Sequence, residues 1–305
     1  MKRKGRDEEG LALVITLLIT AVLVAVISEV VFAVHLNTSA TGVYRDSRGA
    51  GLMARGGVDL VAEFVERSLK GKDYAYFGPE ETSRVLADGE NVLELRMEDE
   101  QGKFSINSIV YANGEVNTEY YDAFTRLLEA SGLEPGLADT VSDWIDLDDV
   151  PRPEGAENFD YYGKLTPAYS SKGAALDTVE ELLVVKGFTQ EEYRRIAPFV
   201  TVYTDGMVNI NTAPREVIMA LSEEITGDLA DAVIDYRKET PFMTTGEIRK
   251  VSGFETLGFN LQGRITVASS TFRVFSRGYA GEGIREVEAV VRTAEGADVL
   301  YWRER

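Results

Sequence analysis

From Leu11 to Val34 the chain reads LALVITLLITAVLVAVISEVVFAV, about 24 residues in which only Glu29 is charged. As a helix this run is roughly 36 Å long, enough to cross a bilayer core of about 30 Å. Lys2, Arg3, Lys4 and Arg6 precede it, and no comparable basic cluster follows closely. Positive charge stays on the cytoplasmic side, so the N-terminus is expected inside and the rest of the chain outside.

Three readings compete for this segment. A cleaved signal peptide needs an apolar core of about 7–15 residues and a small-residue cleavage site behind it. This run is longer, and no such site follows. A plain anchor accounts for the length alone. The third reading uses Gly10, placed just before the run. A short charged leader, a glycine and an unbroken apolar stretch resemble a type IV prepilin, which a prepilin peptidase cuts after the glycine. That resemblance puts the cut between Gly10 and Leu11 and makes Leu11 the N-methylated first residue. Pilins carry glutamate as the fifth residue after the cut, where this chain has Ile15; Asp7, Glu8 and Glu9 also make the leader less basic than usual.

The chain of 305 residues is long enough for more than one domain. It has 51 acidic against 32 basic residues and a net charge of -19. Such a surface repels phosphates, so no nucleic acid partner is expected, and it suits cations and basic partners. Without cysteine there is no disulfide or thiolate metal site, and the single histidine, His35, leaves little for a Ser-His or Cys-His couple.

Leu52/Met53, Gly56/Gly57, Leu60/Val61, Phe64/Val65 and Leu69 recur about every four residues and predict that the first helix continues past the membrane. That stripe packs in the protein's own core or on a neighbouring subunit. Residues Asn91 to Asn107 predict a hairpin turning at Glu98–Gly102. Ile265 to Ala280 and Ile284 to Arg292 predict another around Gly281-Glu282-Gly283, and Val299 to Trp302 add a last strand. Strands bracket a helical middle, which points to a helical insertion in a sheet.

The middle is duplicated. Leu137–Trp144 (LADTVSDW) matches Leu229–Tyr236 (LADAVIDY), Glu181–Phe188 matches Glu247–Phe254, and Ile106-Asn107-Ser108 corresponds to Ile210-Asn211-Thr212. Each unit reads as an Asn-Ser/Thr cap, two helices and a short helix closed by glycine. The second unit resembles the helix-hairpin-helix modules of DNA-uptake proteins, but its turn, Glu223 to Asp228, carries three acids and one glycine.

The units differ in one place. Trp144 and Glu181 are 37 positions apart and Tyr236 and Glu247 are 11, so the first unit carries about 26 extra residues. With Asp143 standing just before them, they bring an oxygen-rich cluster: Asp146, Asp148, Asp149 and, across a Pro-Gly loop, Glu157. Calcium takes about six to eight oxygens, and alternation points Asp146 and Asp148 the same way in an extended turn. A solvated acidic loop or a helix cap would use the same residues. A paired-carboxylate hydrolase would need them set across a cleft.

The leader and apolar helix, Asp143 to Glu157 (DWIDLDDVPRPEGAE), Thr178 to Gly187 (TVEELLVVKG) and Val208 to Pro214 (VNINTAP) together resemble the general secretion pathway protein K family, the large minor pseudopilins of type II secretion systems. The resemblance implies an α+β fold, in which a pilin-like long N-terminal helix packs on a small antiparallel sheet and a large α-helical domain is inserted in that sheet. It implies no enzyme activity. Such proteins lack the glutamate after the cut, sit at the pseudopilus tip with minor pseudopilins of the I and J types above the major pseudopilin, and bind calcium in the α-domain. By that analogy the ligands are Asp143, Asp146, Asp148, Asp149 and Glu157, with Asp146, Asp148 and Glu157 foremost. The expected organisation is a leader (1–10), a membrane helix (11–34), the first part of the core (35–105), the first unit with the acidic loop (106–205), the second unit (206–263) and closing strands (264–305). The expected location is the inner membrane with the body in the periplasm. The alternative is a membrane-anchored DNA-handling protein using the helix-hairpin-helix-like units.

Overall fold

The computed structural model describes residues 4–293 and 298–305; Met1–Arg3, the start of the expected leader, lie outside the described residues. The first element is one helix, α1 (Lys4–Leu69), 66 residues long. It is the one described helix long and apolar enough to cross a membrane. Its apolar run is exposed throughout, Leu13 and Leu17 being 68% and 69% accessible. That exposure, unlike any surface of a water-soluble core, matches a lipid-facing helix.

From Asp46 onward α1 packs on a five-stranded antiparallel sheet in the order β1 (Ser83–Asp88), β2 (Asn91–Asp99), β7 (Thr271–Ala280), β8 (Gly283–Arg292), β9 (Asp298–Glu304). Ala50, Ala54, Val58, Val61, Ala62 and Val65 bury one face of the helix against Leu93, Leu95, Phe272, Val274, Val287 and Ala289. The helix and sheet come closest at two glycines: a Cβ on Gly278 would collide with the Ala50 carbonyl, and one on Gly57 with the Ser276 and Leu95 side chains. The predicted stripe is half right. Val61 and Val65 are buried, but Leu52 and Leu60 face outward at 61% and 48% exposure, because the glycine contacts set the helix's rotation.

The hairpin predicted over Asn91–Asn107 does not form. β2 pairs instead with β1 through Gly89-Glu90, register Asp88↔Asn91 to Ser83↔Arg96. Its end is turned away at Asp99, whose Oδ1 accepts from Gln101 N–H. Phe104–Ser105, strand β3, then pairs in parallel with β4 (Val200–Thr201). Likewise Ile265 does not open the long strand: Ile265–Thr266, β6, pairs in parallel with β5 (Val208–Asn209). The hairpin of β7 and β8 and the last strand β9 form where the sequence predicts them.

Because β2 pairs with β7, everything between Asp99 and Thr271 is an insertion. It leaves from the end of the sheet farther from the apolar run of α1. The opposite end, the turn Gly281-Glu282, lies against Asp46, on the side of the apolar run of α1. Two acids, half-buried Asp99 and buried Glu100, stitch the joint. Asp99 Oδ2 accepts from Asn209, Thr212 and Ser269. Glu100 accepts from Arg273 (2.8 Å), Lys103 (2.7 Å) and Thr201.

After the turn at Pro79–Thr82 (α2), the remaining helices are α3 (Thr118–Ala130), α4 (Leu137–Ile145), α5 (Gln190–Ile196), α6 (Arg215–Ala220), α7 (Gly227–Glu239) and α8 (Leu257–Asn260). The duplication is visible in space. α3 and α4 of the first unit correspond to α6 and α7 of the second, and the 3-10 turns Val179–Val184 and Thr245–Lys250 correspond likewise. Gly187 and Gly253 close those turns at φ +87 and +91, and a Cβ on either would strike the equivalent leucine, Leu137 or Leu229.

Candidate metal centre

The extra residues of the first unit form a loop that begins where α4 ends. Asp143 lies in the last turn of α4 and Asp146 is its C-cap, three residues on. That spacing places both carboxylates on one face. Gly155 N–H donates to the Arg152 carbonyl at 3.0 Å, closing a Pro-rich turn that returns the chain to α4. On the return, Arg152 and Ala156 N–H donate to Asp143 Oδ2 at 3.1 and 2.8 Å. Glu157 follows directly.

One carboxylate oxygen each of Asp143, Asp146 and Glu157 lies within 4.8 Å of the others, and all three residues are buried, at 0%, 5% and 0% accessibility. Asp143 Oδ1, Asp146 Oδ1 and Glu157 Oε1 are buried with no hydrogen-bond partner. Three orphaned carboxylate oxygens facing one point are costly unless protonated or bound to a cation. Burial pushes Asp143 up to about 6, with repulsion from Asp146 adding to it and the N–H groups of Arg152 and Ala156 opposing. Burial and the neighbouring Asp148 carry Asp146 to about 6. Burial carries Glu157 to about 7 despite its hydrogen bond from Ser171, with repulsion from Asp143, Asp146 and Asp149.

Two of the five expected ligands stay apart. Asp148 is exposed and accepts from Val150 N–H at 2.8 Å in a local turn, and Asp149 is exposed and accepts from Asn158 at 3.2 Å. The expected alternation of Asp146 with Asp148 fails because Asp146 still belongs to the helix end. Asp143, placed among the weaker candidates, takes the third position. Hard, anionic oxygen donors without nitrogen or sulfur fit a calcium-type cation. They converge on one point and are not divided across a cleft.

In the second unit the aspartates equivalent to Asp139 and Asp143 are Asp231 and Asp235. Both lie on the surface, paired with Arg215 (2.9 Å) and Lys238 (2.8 Å). Burial by the extra loop is what turns the same helix face into a converging site. The acids of the second unit's turn, Glu223, Glu224 and Asp228, are exposed, where they repel phosphate.

Comparison with known proteins agrees with this architecture. Models of the type II secretion system protein K family match residues 102–205 and 208–268. Type II secretion system protein K of Pseudomonas aeruginosa is 29% identical over 262 residues, covering 80% of this chain and 77% of that protein. The putative type II secretion system protein K of Escherichia coli K12 is 25% identical over 245 residues, 75% and 73% of the two chains. A chain in the crystal structure of the GspK-GspI-GspJ complex from enterotoxigenic Escherichia coli shares the fold, with a TM-score of 0.69 over 88% of this chain and 99% of that one at 16% identity. The two family models together span more than half of the 305 residues, and the chain belongs to the type II secretion system protein K family of minor pseudopilins.

Proposed function

We propose that this minor pseudopilin caps and initiates a pseudopilus tip, held in the inner membrane by α1 with its body in the periplasm, and that its work is structural and not catalytic. The observation that carries the reading is the placement of the insertion at the end of the sheet farther from the apolar run of α1. A pilin-like subunit is added to a fibre by its helix, and a bulky domain above the sheet leaves no room for a further subunit on top. Ile15 in place of a glutamate agrees with this, since a top subunit has no neighbour's amino terminus to neutralise, and an unpaired carboxylate in lipid is expensive. Prepilin peptidase would cut between Gly10 and Leu11 and leave Leu11 for methylation. The partners would be minor pseudopilins of the I and J types, which accompany the similar chain in the enterotoxigenic Escherichia coli complex, and the major pseudopilin below them.

In this reading Asp143, Asp146 and Glu157 hold a calcium ion that fixes the inserted loop. A bound cation would supply the positive charge that lets three buried carboxylates ionise together. The test of the assembly is co-purification of the full chain from membranes with the I- and J-type proteins. Recovery of the three together supports the tip role; recovery of this chain without either would remove it.

A further inference from the structure

Among the described residues, Arg152 is the only basic side chain within 4.0 Å of the three converging carboxylates. Its Nε lies 3.7 Å from Asp143 Oδ1, too far for a hydrogen bond. Both atoms are buried and lack a hydrogen-bond partner. On its other side Nη1 lies 4.0 Å from Asp139 Oδ1, and the guanidinium stands over Tyr121, 5.3 Å from the ring centroid. The Tyr121 hydroxyl itself donates to Asp139 at 2.7 Å. A free Arg–carboxylate pair closes to about 2.7–2.9 Å and often makes two bonds. Arg152 makes none with either aspartate. Its main-chain N–H is committed to Asp143 Oδ2 while its side chain is suspended between two acids.

The second unit shows what the alternative looks like. There the two equivalent aspartates each have their own surface cation, Arg215 and Lys238. In the first unit one arginine, delivered by the inserted loop, stands between both.

We infer that Arg152 is a built-in counter-charge that sets how tightly the acidic site holds its cation. Without an ion its charge offsets part of the mutual repulsion of Asp143 and Asp146, so the loop stays folded. With an ion the same charge opposes binding and weakens it below what three carboxylates alone would give. Arg152 is therefore a positioning and affinity-setting residue, not a ligand. The inference rests on the calcium reading of the site.

The experiment is calorimetric titration of calcium chloride into the chelator-stripped full chain in detergent, with thermal unfolding of the stripped proteins alongside. Arg152→Met keeps the stem and removes the charge; Arg152→Gln keeps a donor and removes the charge, and serves if the first variant does not fold. The expected result is calcium affinity about tenfold tighter than wild type, from the loss of one nearby positive charge, with a lower unfolding midpoint in the stripped state. Arg152→Lys, which keeps the charge, should stay near wild type. Equal or weaker affinity in both charge-removing variants, with wild type binding calcium, would overturn the inference alone. No calcium binding by wild type would overturn the calcium reading and the inference with it.

Discussion

Gly155 lies so close to the Asp143 carboxylate that any side chain on it would collide with Oδ2. The same oxygen accepts the N–H groups of Arg152 and Ala156 on either side of that glycine. The loop can wrap the carboxylate only while position 155 has no Cβ. Gly155→Ala should cost about 1–3 kcal/mol of stability through overpacking and should abolish the calcium-dependent rise in unfolding temperature. Paired melts with and without calcium check both parts. An alanine variant that keeps the full calcium shift would show that the loop is not what forms the site.

The stripped site should make stability fall as pH rises. Asp143, Asp146 and Glu157 hold their protons up to about 6, 6 and 7 when folded, against ordinary values of 3.8, 3.8 and 4.5. The folded state binds more protons than the unfolded chain across that window, so their contribution is lost as pH climbs from about 4 to about 7. In the proposed reading a calcium ion takes the protons' place. Its stabilisation should therefore be larger at pH 8 than at pH 5, read from denaturant midpoints at each pH. An equal calcium effect at both values would contradict the linkage.

Glu100 behaves oppositely. Its burial alone would raise it, but Lys103 and Arg273 outweigh that and hold it below the ordinary value of 4.5. The stability it contributes is present above about pH 4.5 and is lost as pH falls through its lower folded value. Glu100→Ala should cost about 3 kcal/mol at pH 7, near the low end for a broken buried pair, because Arg273 keeps Glu288 and Lys103 keeps Glu98. Urea unfolding at pH 7 and pH 4 measures the difference, which should shrink at the lower pH.

Asn107 and Asn211 serve as equivalent clamps. Asn107 donates to the Leu176 carbonyl at 3.0 Å and accepts from its N–H at 2.8 Å; Asn211 does the same with Phe242 at 2.9 and 2.8 Å. Either alanine substitution orphans a buried N–H and a carbonyl and should cost about 1–3 kcal/mol. Similar losses at the two sites, measured by urea unfolding, are expected if the duplication is energetic as well as topological. A loss at one site only would limit the likeness to chain path.

What the sequence made legible was local. The apolar run of α1, the hairpin around Gly281-Glu282 and the repeated Leu-Ala-Asp helix each carry their signal within a few residues. The sequence pattern assigns Phe104 to the wrong partner because Val200 lies almost a hundred residues away and pairs in parallel, and nothing near Phe104 encodes that choice. In the site, composition located the acidic loop but not its geometry. The family analogy puts Asp148 ahead of Asp143, and an extended-chain alternation would point Asp148 the same way as Asp146. The helix persists to Ile145, so the spacing that counts is the three residues from Asp143 to Asp146. Arg152 carried no sequence signal of its own, since its role appears only once the loop folds back between Asp139 and Asp143.

The proposed tip role requires this subunit to stand at the end of a fibre. Immunogold labelling of its inserted domain on surface-exposed pseudopili tests that directly. A tip subunit should put gold at one end of each filament and none along the shaft. Label distributed along the length would contradict it, because a subunit with this domain above its sheet would then be repeating inside the fibre.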